Sequence, residues 1–481
     1  MPRSRNGCTT CKRRHRKCDE TKPECLECKK NKLRCEGYAI KLQWDIGVAS
    51  RGRLTGATVP VLGATRNETR PREQDRPEMN GSFGQFQAIA PSADTYSQGV
   101  DAPDSPLDAA SCSMTDADPQ EPEWLRRRSD GEKELFRQFV QRTVFLLYST
   151  STHDSYWTEL KQLALQTEPL FLILIATHLY ITNPRNPSPL FRDLCNQSLR
   201  LFREQLNRFD GTLDAGLINA GIFLCTLHLF QGIPWTSQLK HMMWVYGFFP
   251  GAENASRIAD VEYRFPIETM AVMDLQTFVR GRDTPTLSIW TCLRSAQASK
   301  PTGLIDGVES VTGLPRSLLD LFARLGDASA EQAFVGWPGY EGSVPHCHLW
   351  EAFRLSGILL TRRQLRISGP QSPTNEVLVC RLIASLDALY ETRHRPEYGH
   401  ILARNSILYP YTAARLEVSI LRSRPSWVEA LRRYQDHCEP YRETPVALIL
   451  EEILDKALEA GDNDIDLDKE ARKRGVELSL F

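Results

Sequence analysis

Apolar residues return at helical spacing from residue 123 onward. Leu135, Phe136, Phe139, Val140, Val144 and Leu147 fall three and four apart, the stripe of a helix with one face in a core. Helix-sized apolar stretches follow at 156–166, 169–181, 190–207, 213–231, 235–248, 261–280, 349–367, 377–390 and 445–460, with Pro or Gly between them. Asp130, Asp154 and Asp210 precede such stretches and are expected as N-caps. Alternating strand patterns are scarce. The longest apolar run, PLFLILIATHLYI at 169–181, is too short to cross a bilayer and predicts a buried helix. The expectation is a large all-helical domain over 123–481 with no membrane partner.

The pattern fades upstream. Residues 64–122 hold only five Leu, Ile, Val or Phe but seven Pro, too little to bury an ordered core. From Pro77 to Trp124 there are nine acids and no Lys or Arg. The stretch 46–122 is therefore expected to be a disordered acidic linker. No heptads run between Glu36 and Pro122, and Gly47, Gly52, Gly56, Pro60 and Gly63 interrupt any coiled coil. The opening MPRSRNG has no apolar core of a secretory leader. A soluble, intracellular protein is expected, and its thirteen cysteines then need a role other than disulfides.

Charge and cysteine concentrate in the remaining segment, 1–45. Residues 1–35 carry twelve Lys or Arg against four acids, a surplus of eight, which leaves −9 on the rest of a chain whose total is −1. Six of the thirteen cysteines lie there, as Cys8-x2-Cys11-x6-Cys18-x6-Cys25-x2-Cys28-x6-Cys35. Two near-identical halves repeat, each a CxxC pair followed by a third Cys. Four thiolates make a closed tetrahedral zinc site, and six serve two zinc ions only if two of them bridge. A redox CxxC would need a βαβ setting, and none surrounds these pairs.

The segment Cys8 to Cys35 resembles the DNA-binding domain of the fungal binuclear zinc cluster transcription factors. The resemblance includes the basic run after the second Cys, the step Cys18-Asp19-Glu20, and Lys22-Pro23 before the fourth Cys. It implies that Cys8, Cys11, Cys18 and Cys25 hold one zinc and that Cys25, Cys28, Cys35 and Cys8 hold the other. It also implies a short helix, Lys12-Arg13-Arg14-His15-Arg16-Lys17, in the major groove of double-stranded DNA. Lys29 and Lys30 would join it as contacts to phosphate. In that family the fourth residue after the second Cys is usually Lys or Arg and reads a CGG triplet. Here it is His15, which cannot make the bidentate Arg pairing to guanine; Arg14 beside it could take over. The same run doubles as a nuclear import signal, so the nucleus is the expected compartment.

The helical region carries no GxSxG, HExxH, GxGxxG or P-loop, and no enzyme is expected. His346-Cys347-His348, the pair Cys225 and His228, and Met242-Met243-Trp244 are read as packing, not ligands. RFPIE at Arg264–Glu268, AVMDLQTF from Ala271, GRDTPTL from Gly281 and then Trp290 resemble the all-helical regulatory region found downstream in the same family. Residues 451–481 hold ten acids interleaved with Ile465, Leu467, Leu478, Leu480 and Phe481, which suits an activation segment that displays apolar groups to a coactivator. The competing reading, preferred because Arg472-Lys473-Arg474 dilutes the acidity, is a solvated last helix packed through Ile453, Leu454 and Leu458, with a frayed end.

The resemblance thus implies a sequence-specific transcription factor for RNA polymerase II genes, reading CGG-like triplets and governing a metabolic or biosynthetic gene set. Its partners would include a small-molecule inducer and a second copy of the chain, paired without a coiled coil. The alternative is a small-molecule receptor or enzyme-like helical domain that the zinc cluster tethers to chromatin.

Overall fold

Two helices of this chain are apolar on every side, Glu168–Thr182 and Ala215–Gln231, and both are buried along nearly their whole length. The computed structural model describes residues 10–11, 14, 16–19, 21, 25–31, 33, 35, 122–249, 254–299, 306–367, 373–435 and 443–481. The linker expected over 46–122 lies outside them except for Pro122, as do Cys8, Lys12, Arg13 and His15. The described residues fall in two units, a small N-terminal one and a large helical one.

In the helical unit, Glu168–Thr182 packs against Asp130–Gln141, Pro189–Asn207 and Ala215–Gln231. Pro189–Asn207 is amphipathic where its neighbour is not. It buries Phe191, Leu194, Ser198, Phe202 and Leu206, one stripe at three- and four-residue intervals. Ser188 caps it by accepting from the Phe191 amide at 3.2 Å, and Pro189 fills the first turn, where no amide is needed. A second centre forms around Val344–Gln364, which packs against Ala330–Val335, Asn375–Glu391 and Leu408–Arg415. No single described helix is long and apolar enough to cross a membrane. The expected stretches 156–166 and 445–460 are helices with those bounds.

Three expectations shift. The cap of Asp130–Gln141 is Ser129, in a reciprocal capping box with Glu132; Asp130 is already helical. No helix starts at Asp210, whose carboxylate accepts from Thr212 N at 2.9 Å in a local turn. Asp214, four residues on, caps Ala215–Gln231 through Leu217 N. Asp154 does accept from Tyr156 N at 3.1 Å at the start of Tyr156–Gln166, though Ser155 holds the cap position.

The stretch 261–280 is not one helix. It breaks into a 3-10 turn, the helix Arg264–Asp274, a second 3-10 turn and the strand Val279–Arg280. The cause is Asp274, 1% exposed. Its carboxylate accepts from Arg282 Nη2 (2.8 Å), Thr286 Oγ1 (2.9 Å), Leu287 N (2.9 Å) and Ile289 N (3.2 Å). The GRDTPTL segment thus folds back over the end of the helix that carries AVMD. Gly281 sits at φ +81, and a Cβ there would lie 2.5 Å from Ala471 Cβ, so only glycine lets the chains pass. Glu268, in the RFPIE stretch, pairs in the core with Arg316 at 2.6 Å, both side chains 5% exposed. These motif residues hold the fold.

Val279–Arg280 pairs antiparallel with Leu478–Ser479, the one sheet among the described residues. Leu480 N donates to Phe278 O at 2.9 Å. The tail is therefore packed: Leu478, Leu480 and Glu477 are buried, as are Ile453 and Leu454, while Leu458 is half-buried. The preferred reading of the tail holds for Ile453 and Leu454, but the end is not frayed: Leu478–Ser479 is a paired strand, and Leu478 and Leu480 are not on display to a coactivator. Met242 and Met243 are core, as expected, but Trp244 is 58% exposed and stacks on Phe249.

Candidate metal centre and nucleic-acid interface

The six-cysteine segment repeats with an offset of seventeen residues, and its backbone repeats with it. Arg14 N bonds Thr10 O at 3.2 Å, and Asn31 N bonds Glu27 O at 3.3 Å. Arg16 N bonds Cys11 O at 3.0 Å, and Leu33 N bonds Cys28 O at 2.9 Å. Each pair is one bond displaced by one repeat. In the first half Thr10 and Cys11 are helical, Arg14 lies in a turn, and Arg16 and Lys17 lie outside any helix. In the second half the helix is Leu26–Lys30, with Cys25 at its cap accepting from Cys28 N at 3.3 Å.

Asp19 ties the halves together. Its two carboxylate oxygens accept from Leu26 N and Glu27 N, each at 3.0 Å, at the start of that helix, and it also bonds the Thr21 hydroxyl. The Thr21 hydroxyl and then the Glu27 amide hold its carboxyl well below the usual carboxylate range. A fixed negative charge at a helix start is favourable. Asp19, next to Cys18, thus serves as a cap on that helix.

The core of this unit is sulfur. Cys11, Cys18, Cys25 and Cys28 are buried at 0–5% exposure, and Cys35 packs half-buried against them. Cys11 Sγ lies 3.7 Å from Cys25 Sγ and 3.8 Å from Cys28 Sγ. Thiolates on one tetrahedral zinc, with bonds near 2.3 Å, stand about 3.8 Å apart, so the donors present fit that metal. Two groupings of ligand atoms arise, Cys11 with Cys25 and Cys28, and Cys18 and Asp19 with Cys25. Cys25 belongs to both. The structure brings Cys11 and Cys28 close although the resemblance assigns them to different ions, and Cys8 lies outside the described residues.

Every described basic candidate is exposed: Arg14, Arg16, Lys17, Lys29 and Lys30. Lys17, Lys29 and Lys30 line one open concavity with Leu26, Glu27 and Asp19. Leu26, 58% exposed, was not singled out by its sequence, because one leucine between Cys25 and Glu27 carries no periodicity. Elsewhere two of the candidate histidines are engaged by protein groups. His346 is bonded by Ser343 Oγ at 2.8 Å and Ser149 O at 3.0 Å. His228 takes Gln238 Nε2 at 2.7 Å, and burial pushes its ring down to about 4.

Residues 6–45 match the family model described as the fungal Zn(2)-Cys(6) binuclear cluster domain. Over 36 residues the chain is 61% identical to the transcriptional regulatory protein moc3 of Schizosaccharomyces pombe, which is 8% of this chain and 7% of that protein. It is 50% identical over 50 residues to the pestheic acid cluster transcriptional regulator 3 of Pestalotiopsis fici, 10% of this chain and 9% of that one. It is 53% identical over 39 residues to the arginine metabolism regulation protein II of Saccharomyces cerevisiae, 8% of this chain and 4% of that one. These matches span under a tenth of the relatives' own length, and no solved structure matches the chain. With its repeat, its sulfur core and this match, residues 6–45 are a binuclear zinc cluster domain of the fungal Zn(2)-Cys(6) type, with zinc as its metal.

Proposed function

We propose that this chain is a nuclear, sequence-specific transcription regulator that binds duplex DNA through its N-terminal zinc cluster and performs no catalysis itself. The observation that carries the reading is the matched domain, with buried thiols inside and only exposed Lys and Arg among its described basic residues. Zinc supplies the folding energy that so small a unit lacks. Cys8, Cys11, Cys18 and Cys25 would hold one ion, and Cys25, Cys28, Cys35 and Cys8 the other. The short apolar inventory then leaves the surface free for Lys and Arg, which neutralise phosphates and release counterions.

Lys12, Arg13, Arg14, His15, Arg16 and Lys17 form the base-facing run in this reading, and Lys29 and Lys30 touch phosphate. CGG-like triplets are the proposed target, with Arg14 or His15 at the guanine edge. The domains are 1–45 for DNA, 46–122 as spacer and 123–481 as regulatory region. A second copy of the chain and a coactivator are its proposed partners. A metabolic or biosynthetic gene set is the proposed regulon, in line with the names of two of the relatives. The test is fluorescence anisotropy of the zinc-loaded full chain on CGG-containing and scrambled duplexes. Tighter binding to CGG, lost on chelation, is expected; equal binding to both would overturn the sequence-specific reading.

A further inference from the structure

The helical unit contains a partly open cavity of about 90 Å³. Its walls are mostly apolar, among them Ile222, Phe223, Leu229, Phe265, Met273 and Phe481. They come from separate parts of the chain, so the space is a product of the tertiary fold. Most of the polar groups at its edge are already engaged. The Ser149 and Ser406 hydroxyls bond each other at 2.5 Å. Thr226 and Thr269 donate to Ile222 O and Phe265 O, each at 3.0 Å. Asn219 accepts from Tyr156 and donates to Ala215 O.

Tyr148 is the exception. It lines the cavity and is 8% exposed, yet among the described residues its hydroxyl makes no hydrogen bond. Its oxygen is not one of the fully buried atoms left without a partner, so it opens onto accessible space, where a tyrosine hydroxyl can still take a partner. Burial, then Asp154 and Glu309, push this phenol up, so it stays protonated and can donate to a group that enters the cavity. Those two acids also disfavour an anionic guest.

We propose that this cavity binds a small uncharged apolar molecule carrying one hydrogen-bond acceptor, which Tyr148 meets with its hydroxyl. The volume is about three-fifths that of an engineered cavity of about 150 Å³ that binds benzene, so the guest is at most a small ring or a short branched chain. Phe481 forms part of the wall, on the segment whose Leu480 amide bonds Phe278 O. Occupancy therefore bears on how firmly that segment docks. The inference deepens the regulator reading, as a route by which a metabolite sets its output. Binding is measured without DNA, so failure here leaves that reading standing.

The experiment uses the zinc-loaded full chain and two probes of one shape, cyclopentanone with an acceptor and cyclopentene without. Saturation-transfer NMR with titration gives their affinities, and hydrogen exchange follows the Leu480 amide. Both probes are expected to bind saturably, cyclopentanone more tightly, with slower exchange at Leu480. Tyr148→Phe should weaken cyclopentanone about threefold to tenfold, the worth of one hydrogen bond, and leave cyclopentene unchanged. Ile222→Phe, or the milder Thr226→Ile should the first fail to fold, should abolish binding of both. No saturable binding of either probe to the unaltered chain would overturn the site. So would binding that persists in a folded filling variant, and an equal response of both probes to Tyr148→Phe would overturn the role given to its hydroxyl.

Discussion

Glu477→Ala should release the end of the chain. The Thr236–Val245 helix begins at Trp235, whose side chain makes no capping bond. The acceptors come instead from 241 and 242 residues away in sequence: Glu477 takes Trp235 N at 2.7 Å, Thr236 N at 2.9 Å and Thr236 Oγ1 at 2.5 Å. It also takes Asp283 N at 3.0 Å. Removing the carboxylate leaves the amides of Trp235 and Thr236 buried without acceptors; the Asp283 amide can turn to water, and the Thr236 hydroxyl can rotate. Each stranded buried donor costs about 1–3 kcal/mol, so the loss is about 2–6 kcal/mol. Total stabilities are about 5–15 kcal/mol. Undocking only the tail forfeits Leu478 and Leu480, each worth about 1.5–3 kcal/mol when fully buried. Local release therefore competes with global unfolding. Hydrogen exchange should show the Leu480 amide losing protection in the variant, with a lower urea midpoint. Glu477→Gln, which keeps one acceptor, should fall between. Unchanged exchange at Leu480 and an unchanged midpoint in Glu477→Ala would refute the assignment of Glu477 as the distant cap.

Metal analysis of the full chain should return two zinc ions per molecule, and Cys25→Ser, at the thiol shared by both groupings, should unfold the N-terminal unit by removing about 10 kcal/mol of folding drive; one zinc per chain would sink the bridged arrangement. Lys29→Ala and Lys30→Ala should weaken specific and random duplexes alike and each flatten the slope of log affinity on log salt by about one, read by anisotropy at several salt concentrations. Glu268→Leu should cost about 3–5 kcal/mol in chemical denaturation because it strands Arg316 as an unpaired buried charge. Adding Arg316→Met should recover much of that loss, and strict additivity of the two would argue against a coupled pair.

Much of this was legible in the sequence wherever the signal was local. Cysteine spacing is a short-range property, so the metal centre could be read from 28 residues, and the seventeen-residue repeat was visible as letters before it was visible as hydrogen bonds. The all-apolar stretch at 169–181 announced a buried helix for the same reason. What escaped depends on partners far along the chain. Nothing near Asp274 says that residues 282–289 will fold back onto it, so 261–280 read as one helix. Leu467–Arg474 is too polar to show a stripe; it is fixed by the Asp466 cap on Lys469 N and the bond from Gly281 N to Asp468 at 2.8 Å. Ser129 lost to Asp130 as the expected cap because the two are adjacent and both are good capping residues. The resemblance in RFPIE and GRDTPTL turned out to mark buried ion pairs and a forced glycine.

Glu309 tests whether buried acids in this unit work against its stability at neutral pH. The residue is 1% exposed, and its carboxylate accepts from Val311 N and Thr312 N at 2.8 Å and from Thr312 Oγ1 at 2.6 Å. Those bonds favour the charged form and close the turn that joins Val308 to Pro315. Burial opposes them, with the Glu268 carboxylate adding to it, and the balance leaves the Glu309 carboxyl above its ordinary 4.5. The folded state then binds more protons than the unfolded chain as pH rises from about 4.5. Stability from this group is complete below that value and is lost as pH climbs through the raised one. Glu309→Gln cannot titrate, and its amide presents a donor where an acceptor is needed, so it should be less stable than the parent at low pH. The gap between the two should then narrow from pH 5 to pH 8. Trp350 donates its indole to Gly313 O in the same turn at 2.7 Å, and eight of the chain's nine Trp lie in residues 123–481, so tryptophan fluorescence in urea follows mainly this unit. A gap that stays constant across that range would show that Glu309 titrates in the folded chain as it does in the unfolded one, and that three hydrogen bonds are enough to cancel its burial.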